Sequence, residues 1–169
     1  PEDPLPIEVH FSYKSLIFYR GIPAETGVGP VLALEKIFRE YDIRGVVGVD
    51  FDAGLAEELG KALAAEIRKN FSGTGAPRAA VGFDCRLSAP EMKAAMHRGL
   101  LAGGVSVIDT GMGPTPQLYY AVVKGKLAGG VQIPASHNPG DQNGFKMMIG
   151  QRTLSGPDIQ ALKKAVFEN

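Results

Sequence analysis

The sequence predicts an α/β domain, three-layer α/β/α with a mostly parallel mixed sheet. From residue 31 onward, short apolar runs alternate with segments of helical period. Those runs are apolar along their whole width, as strands covered on both faces must be. A length of 169 residues with 44% hydrophobic side chains suffices for one core and one domain.

Residues 1–30 stand apart as an extension or an arm packed on the body. Ile7, Val9, Phe11 and Tyr13 alternate as a strand would, but prolines at 4, 6, 23 and 30 interrupt the pattern. The domain proper is expected over 31–169. Leu55, Leu59, Leu63 and Ile67 fall four apart and line one face of a helix from about Asp52 to Asn70. Arg78 to Phe83 reads as an apolar strand. Ser88 and Glu91 read as a capping box opening a helix that Gly103-Gly104 stops. Val105 to Asp109 is the next strand. Thr115-Pro116 opens a helix ending near Gly125, with proline suited to the first turn. Leu127 to Ile133 is a third strand and Phe145 to Ile149 a fourth. Ser155 to Asp158 caps a closing helix that carries Ile159, Leu162 and Val166.

Eighteen basic and eighteen acidic side chains cancel, so no global field draws the chain to nucleic acid or anionic lipid. Any anion site must be built locally. The single cysteine, Cys85, has no internal partner and fits a reducing compartment. It reads as a small buried filler. No apolar run reaches membrane-spanning length and no signal-peptide pattern is present, so the expected location is cytoplasmic. The chain begins with Pro1 rather than Met, which points to an upstream piece missing or trimmed.

Ligands of parallel sheets gather beyond the carboxyl ends of the strands. Three loops are expected there: Asp84 to Ser88, Gly111 to Pro116, and "PASHNPGDQNG" from 134 to 144. The last gathers a hydroxyl, an imidazole and amides, followed by Lys146. Ser136 beside His137 is a weak hydrolase signal, because adjacent side chains usually diverge and the Gly-x-Ser-x-Gly elbow is absent. On spacing alone, a polar turn with Asn138-Pro139-Gly140 chemistry explains the segment equally well. Asp50 and Asp52 resemble a metal pair, but acidic residues ahead of a helix are explained by capping. "GMGPTP" lacks the third glycine of a dinucleotide loop. His10 and His97 have no partners at ligand spacing and read as structural or solvated.

Four segments taken together are more specific. "ASHNP" with "NGFK", "FREYDIRGVVG" (38–48), "VGFDCRLSAPEM" (81–92) and "DTGMGPTPQLYYA" (109–121) resemble, in order and spacing, the motifs of the α-D-phosphohexomutases. That is the phosphomannomutase/phosphoglucomutase family, and the resemblance covers about residues 37–168, its N-terminal phosphoserine domain. It implies an isomerase that moves a phosphoryl group between the 1- and 6-positions of mannose or glucose phosphate through a bisphosphate. Ser136 matches the phosphoryl carrier, Lys146 and Arg44 the charge stabilisers. His137 and Asn138 match loop supports that contact phosphate or substrate, and Tyr41 a residue at the site's edge. A packed aromatic and a structural histidine are the plain alternatives for Tyr41 and His137. Arg86 and Ser88 read as scaffold: Ser88 as N-cap, Arg86 tying Asp84 or the neighbouring loop.

The resemblance further implies Mg²⁺ bound through the phosphate on Ser136, hexose 1,6-bisphosphate as activator, and the remaining domains of an enzyme as partners. The family's metal, sugar and terminal phosphate loops are not in these 169 residues, so little turnover is expected of the chain alone. Pro134 and Phe83 also depart from the family pattern. A phosphoglucosamine mutase and a non-catalytic sugar-phosphate-binding module are the alternatives.

Overall fold

The computed structural model describes residues 36–168. The arm expected over 1–30, and His10 within it, lie outside the described residues. The elements run β1 (Ile43–Val46), α1 (Ala53–Asn70), β2 (Arg78–Phe83), α2 (Ala89–Ala102), β3 (Ser106–Met112), α3 (Thr115–Lys124), β4 (Gly129–Ile133), β5 (Gln142–Ile149), β6 (Arg152–Thr153) and α4 (Gly156–Phe167).

The strands form one sheet in the order β1-β5-β4-β2-β3, with β6 paired to β5. It is mixed, as expected. β2 pairs in parallel with β3 and β4, whereas β5 runs antiparallel to β4, β1 and β6. Connection length explains the switch. Each parallel neighbour is reached through a helix, but only residues 134–141 separate β4 from β5, too few for a crossover. The chain therefore turns back on itself at the carboxyl end of β4.

Side-chain alternation sorts the sheet's two faces. Ala79, Val81, Phe145, Met147 and Ile149 join the larger core beneath α1, α2 and α4. Ala80 and Met148 point the other way, into a smaller core with Leu118 and Val122 of α3. Three layers result.

The α1 stripe Leu55, Leu59, Leu63 and Ile67 is fully buried. Asp52 caps that helix by accepting from the Leu55 N–H at 3.1 Å. Asp50 has a different task from capping: its carboxylate accepts from the Val46 N–H at 2.7 Å and closes the turn after β1. At α4, the Asp158 carboxylate accepts from the Ser155 N–H at 3.4 Å and completes a capping box.

Several expectations need correction. Ser88 is not a side-chain N-cap: it has helical backbone angles, and its hydroxyl instead accepts from Asn143 Nδ2 at 3.0 Å. Cys85 is exposed rather than buried, because it lies in the loop beyond β2 instead of in a strand. β5 begins at Gln142, three residues before Phe145, which shortens the loop. β3 extends to Met112 through a register shift opposite Val81/Gly82. β1 has four residues and includes Arg44 and Gly45, a composition with no strand signal of its own. Among the described residues no helix is long and apolar enough to cross a membrane.

Candidate phosphoryl-transfer site

Two of the three expected loops converge on the third partner, the turn 134–141. Residues 84–88 follow β2, and 134–141 follow its parallel neighbour β4, so the register Phe83↔Ile133 sets them side by side. The Asp84 N–H donates to Ile133 O at 3.0 Å. The Asp84 carboxylate accepts from the Ala135 N–H at 2.9 Å. The loop after β3 joins lower down, through the Gly113 N–H to Phe83 O at 2.8 Å and Gln132 Nε2 to Gly113 O at 2.8 Å.

Ser136 is exposed and stands at the head of this turn with φ 53°. A non-glycine residue in the left-handed region is held there by its surroundings at a cost of order 1 kcal/mol. That backbone twist overturns one expectation. Ser136 Oγ and His137 Nδ1 do not diverge but lie 3.2 Å apart, within hydrogen-bond reach. Both side chains are open to solvent.

Arg44 lies beneath the turn, only 8% exposed. Its Nη1 donates to Asn138 Oδ1 at 2.7 Å and to Ala135 O at 3.4 Å, contacts on either side of Ser136. Its Nη2 donates to Asp42 Oδ2 at 2.9 Å, and Lys146 Nζ lies 3.6 Å from the same oxygen. One carboxylate thus ties together the two cations singled out in the sequence. Asn138 is fixed from its other end as well, Nδ2 donating to Gln142 Oε1 at 2.5 Å. Tyr41 is 66% exposed, which removes the packed-aromatic alternative.

Sequence reading missed Asp42 and underrated Arg86. The guanidinium of Arg86 donates to Ser136 O (3.2 Å), Asn138 O (2.6 Å), Gln142 O (3.1 Å) and Pro139 O, and its Nε lies 3.4 Å from Asp84 Oδ2. It ties both Asp84 and the neighbouring loop. Each residue belongs to an Asp-x-Arg triplet, Asp42-Ile-Arg44 and Asp84-Cys-Arg86. Extended backbone places alternate side chains on one side, so two such triplets are the signal that could have paired them.

Gly140 has open space where a side chain would stand, and Gly144 lies inside β5. A Cβ on Gly144 would overlap the Ile43 carbonyl across the β1-β5 pair. Its absence lets β1 approach, and that approach delivers Arg44 to the turn.

Comparison with known proteins fixes the lineage. Residues 35–169 match the family model described as "Phosphoglucomutase/phosphomannomutase, alpha/beta/alpha domain I". The chain belongs to the phosphoglucomutase/phosphomannomutase family. A phosphoglucomutase of Neisseria gonorrhoeae is 47% identical over 126 residues, covering 75% of this chain and 26% of the relative. A phosphomannomutase/phosphoglucomutase of Pseudomonas aeruginosa is 46% identical over 136 residues, covering 79% of this chain and 28% of the relative. The crystal structure of a phosphoglucomutase/phosphomannomutase family protein from Burkholderia thailandensis superposes with a TM-score of 0.70 at 39% identity. That match covers 78% of this chain and 30% of the other. The chain thus spans about a quarter of the length of its phosphohexomutase relatives and corresponds to their first domain.

The Mg²⁺ that this family implies can be tested against the donors in place. Among the described residues no group of three or more His, Cys, Asp or Glu side chains could hold a metal ion. Asp42 and Asp84, the carboxylates that bear on the turn, are already taken by Arg44, Lys146, Arg86 and the Ala135 N–H. These residues do not by themselves fit the ion.

Proposed function

We propose that this chain, over residues 31–169, is the phosphoryl-carrying domain of a phosphohexomutase that interconverts the 1- and 6-phosphates of glucose or mannose. In this reading Ser136 Oγ bonds to phosphorus as the bond from phosphorus to a sugar oxygen breaks, and the proton of the serine hydroxyl ends on that sugar oxygen. The reverse step returns the group to the other end of the sugar. The observation that carries the proposal is Ser136 itself, an exposed hydroxyl at a backbone-strained apex whose neighbours Ala135 and Asn138 are held by buried Arg44, which shares Asp42 with half-buried Lys146.

A phosphoserine brings roughly −1.5 to −2 charges and three acceptor oxygens. In this reading Lys146 and Arg44 supply the positive charge, and catalysis rests on positioning and electrostatics. Arg44 acts chiefly through the loop, since its two Nη atoms are engaged by Asp42, Asn138 and Ala135. His137 orients the serine hydroxyl from 3.2 Å, and Asn138 braces the turn. Tyr41, exposed on the same segment as Arg44, is the edge against which a sugar phosphate would rest. A hexose 1,6-bisphosphate would load the serine. Sugar selection and metal binding would fall to further domains of the enzyme, and the expected setting is cytoplasmic.

Intact mass spectrometry tests this. The chain is incubated with glucose 1,6-bisphosphate and Mg²⁺, alone and with the metal-, sugar- and phosphate-binding domains of a relative supplied. A gain of one phosphoryl group with those domains present, lost in Ser136→Ala, is the expected result. No gain under the same conditions overturns the carrier role and leaves a sugar-phosphate-binding module.

A further inference from the structure

Arg86 collects more of the turn than any residue expected to act on it. Four backbone carbonyls, of Ser136, Asn138, Pro139 and Gln142, accept from one guanidinium, while Asp84 holds that guanidinium from behind and takes the Ala135 N–H. The arginine side chain is about nine-tenths buried, at 11% exposure. Its planar fork has five donors in fixed directions and can serve several acceptors at once; an ammonium cannot reproduce that pattern.

This arrangement has a consequence for the opposite side of the turn. In a trans peptide the N–H points opposite to the carbonyl. The Ser136 carbonyl held by Arg86 thus turns the His137 N–H outward, and the Ala135 carbonyl, held by Arg44 and the Asn138 N–H, does the same for the Ser136 N–H. Among the described residues the N–H groups of Ser136 and His137 donate to no protein acceptor, and both residues are exposed. The positive charge lies 3.2 Å from the carbonyl of the serine itself. An oxyanion on Ser136 Oγ would therefore meet outward N–H groups on a backbone held from below by a full positive charge.

The geometry points to Arg86 as the positioning residue of the transfer step, the group that holds Ser136 in its left-handed conformation and turns the loop's donors toward the phosphoryl group. Arg44 braces the same turn through Asn138 and Ala135, so the serine is suspended between two Asp-x-Arg pairs. Arg86 touches neither sugar nor phosphorus and acts through the backbone. The inference rests on the carrier role proposed above for Ser136, but its structural half can be read without it.

Arg86→Lys keeps the charge and removes the fork. Two readouts separate the possibilities: amide hydrogen exchange over residues 134–142, and the rate of phosphoryl gain from glucose 1,6-bisphosphate with the complementary domains supplied. Exchange at the turn's bonded amides, Ala135, Asn138 and Gln142, should accelerate at least about tenfold while α1 and β2 stay protected. The maximal rate of phosphoryl gain should fall roughly 10- to 100-fold, with the half-saturating bisphosphate concentration near that of the parent chain. A merely structural residue would instead lower the thermal midpoint and leave the rate of the folded fraction alone. If Arg86→Lys does not fold, Asp84→Asn, which keeps shape and loses charge, should show the same two changes in smaller measure. Turn exchange and transfer rate both at parental values in a folded variant would overturn the inference. Should the parent chain take up no phosphoryl group at all, the carrier reading fails, and faster turn exchange in Arg86→Lys would still uphold the clamp.

Discussion

A single carboxylate oxygen on Asp42 faces both the Arg44 guanidinium and the Lys146 ammonium. Arg44 is 8% exposed, so removing its counter-charge would leave a buried cation with neutral partners. Asp42→Asn should destabilise the fold by about 2–4 kcal/mol, read as a lower urea midpoint at unchanged slope. Ser136 presents the opposite case. Its φ of 53° costs a serine more than a glycine, so Ser136→Gly should fold at least as stably, by up to about 1 kcal/mol, yet accept no phosphoryl group. Thermal melts with intact mass on the same sample check both halves. Strain kept at one exposed hydroxyl, where stability alone would choose glycine, is consistent with a position shaped for chemistry.

Among the elements, α1 and α2 meet at glycines. A Cβ on Gly60 would lie 2.8 Å from Met96 O, and one on Gly99 would overlap the Glu57 carbonyl. These contacts are with backbone, which cannot rotate away. Gly99→Ala should therefore push the helices apart and cost about 1–3 kcal/mol despite the better helix propensity of alanine. Equilibrium urea unfolding measures it, and a neutral or stabilising result would show that the pair has room to slide. Gly144→Ala acts on a different pair of elements. It would lift β1 off β5 through the Ile43 carbonyl, and so withdraw Arg44 from Ala135 and Asn138. Its effect on phosphoryl gain should exceed what its stability loss explains.

For the molecule as a whole, pH enters through His97. Burial lowers the pKa of this imidazole below its usual 6.5; Asp109 nearby works against that shift and Lys93 adds to it. Its Nε2 is buried and has no hydrogen-bond partner among the described residues, which favours the neutral ring. The unfolded chain then binds a proton that the folded one resists. Stability from this source is complete above about pH 6.5 and declines as the pH falls below that value. The carboxylates of Glu57, held low by Arg98, and Asp158, held low by Arg152, respond only in their own more acidic range. His97→Gln should flatten the stability profile just below 6.5, as followed by urea midpoints across a pH series.

Periodicity and punctuation were enough for the helices. The α1 stripe, its Asp52 cap and the proline-opened α3 are local features, and local features are written in neighbouring residues. The same holds for the apolar strands β2 and β4, and four motifs in register marked the family. β1 escaped notice because four residues bearing an arginine and a glycine become a strand only when β5 offers a ladder. The Ser88 cap failed for a related reason: a distant amide, Asn143 Nδ2, bonds the hydroxyl that would have capped α2. At the candidate site, sequence named Ser136, His137, Asn138, Lys146, Arg44 and Tyr41, whereas the tertiary fold decided what each of them touches. Asp42 linking two cations, and Arg86 reaching carbonyls more than fifty residues away along the chain, depend on β5 folding back antiparallel beside β4. Charge pairing across that distance has no local signature, because the energy of a contact depends on separation in space and not along the sequence.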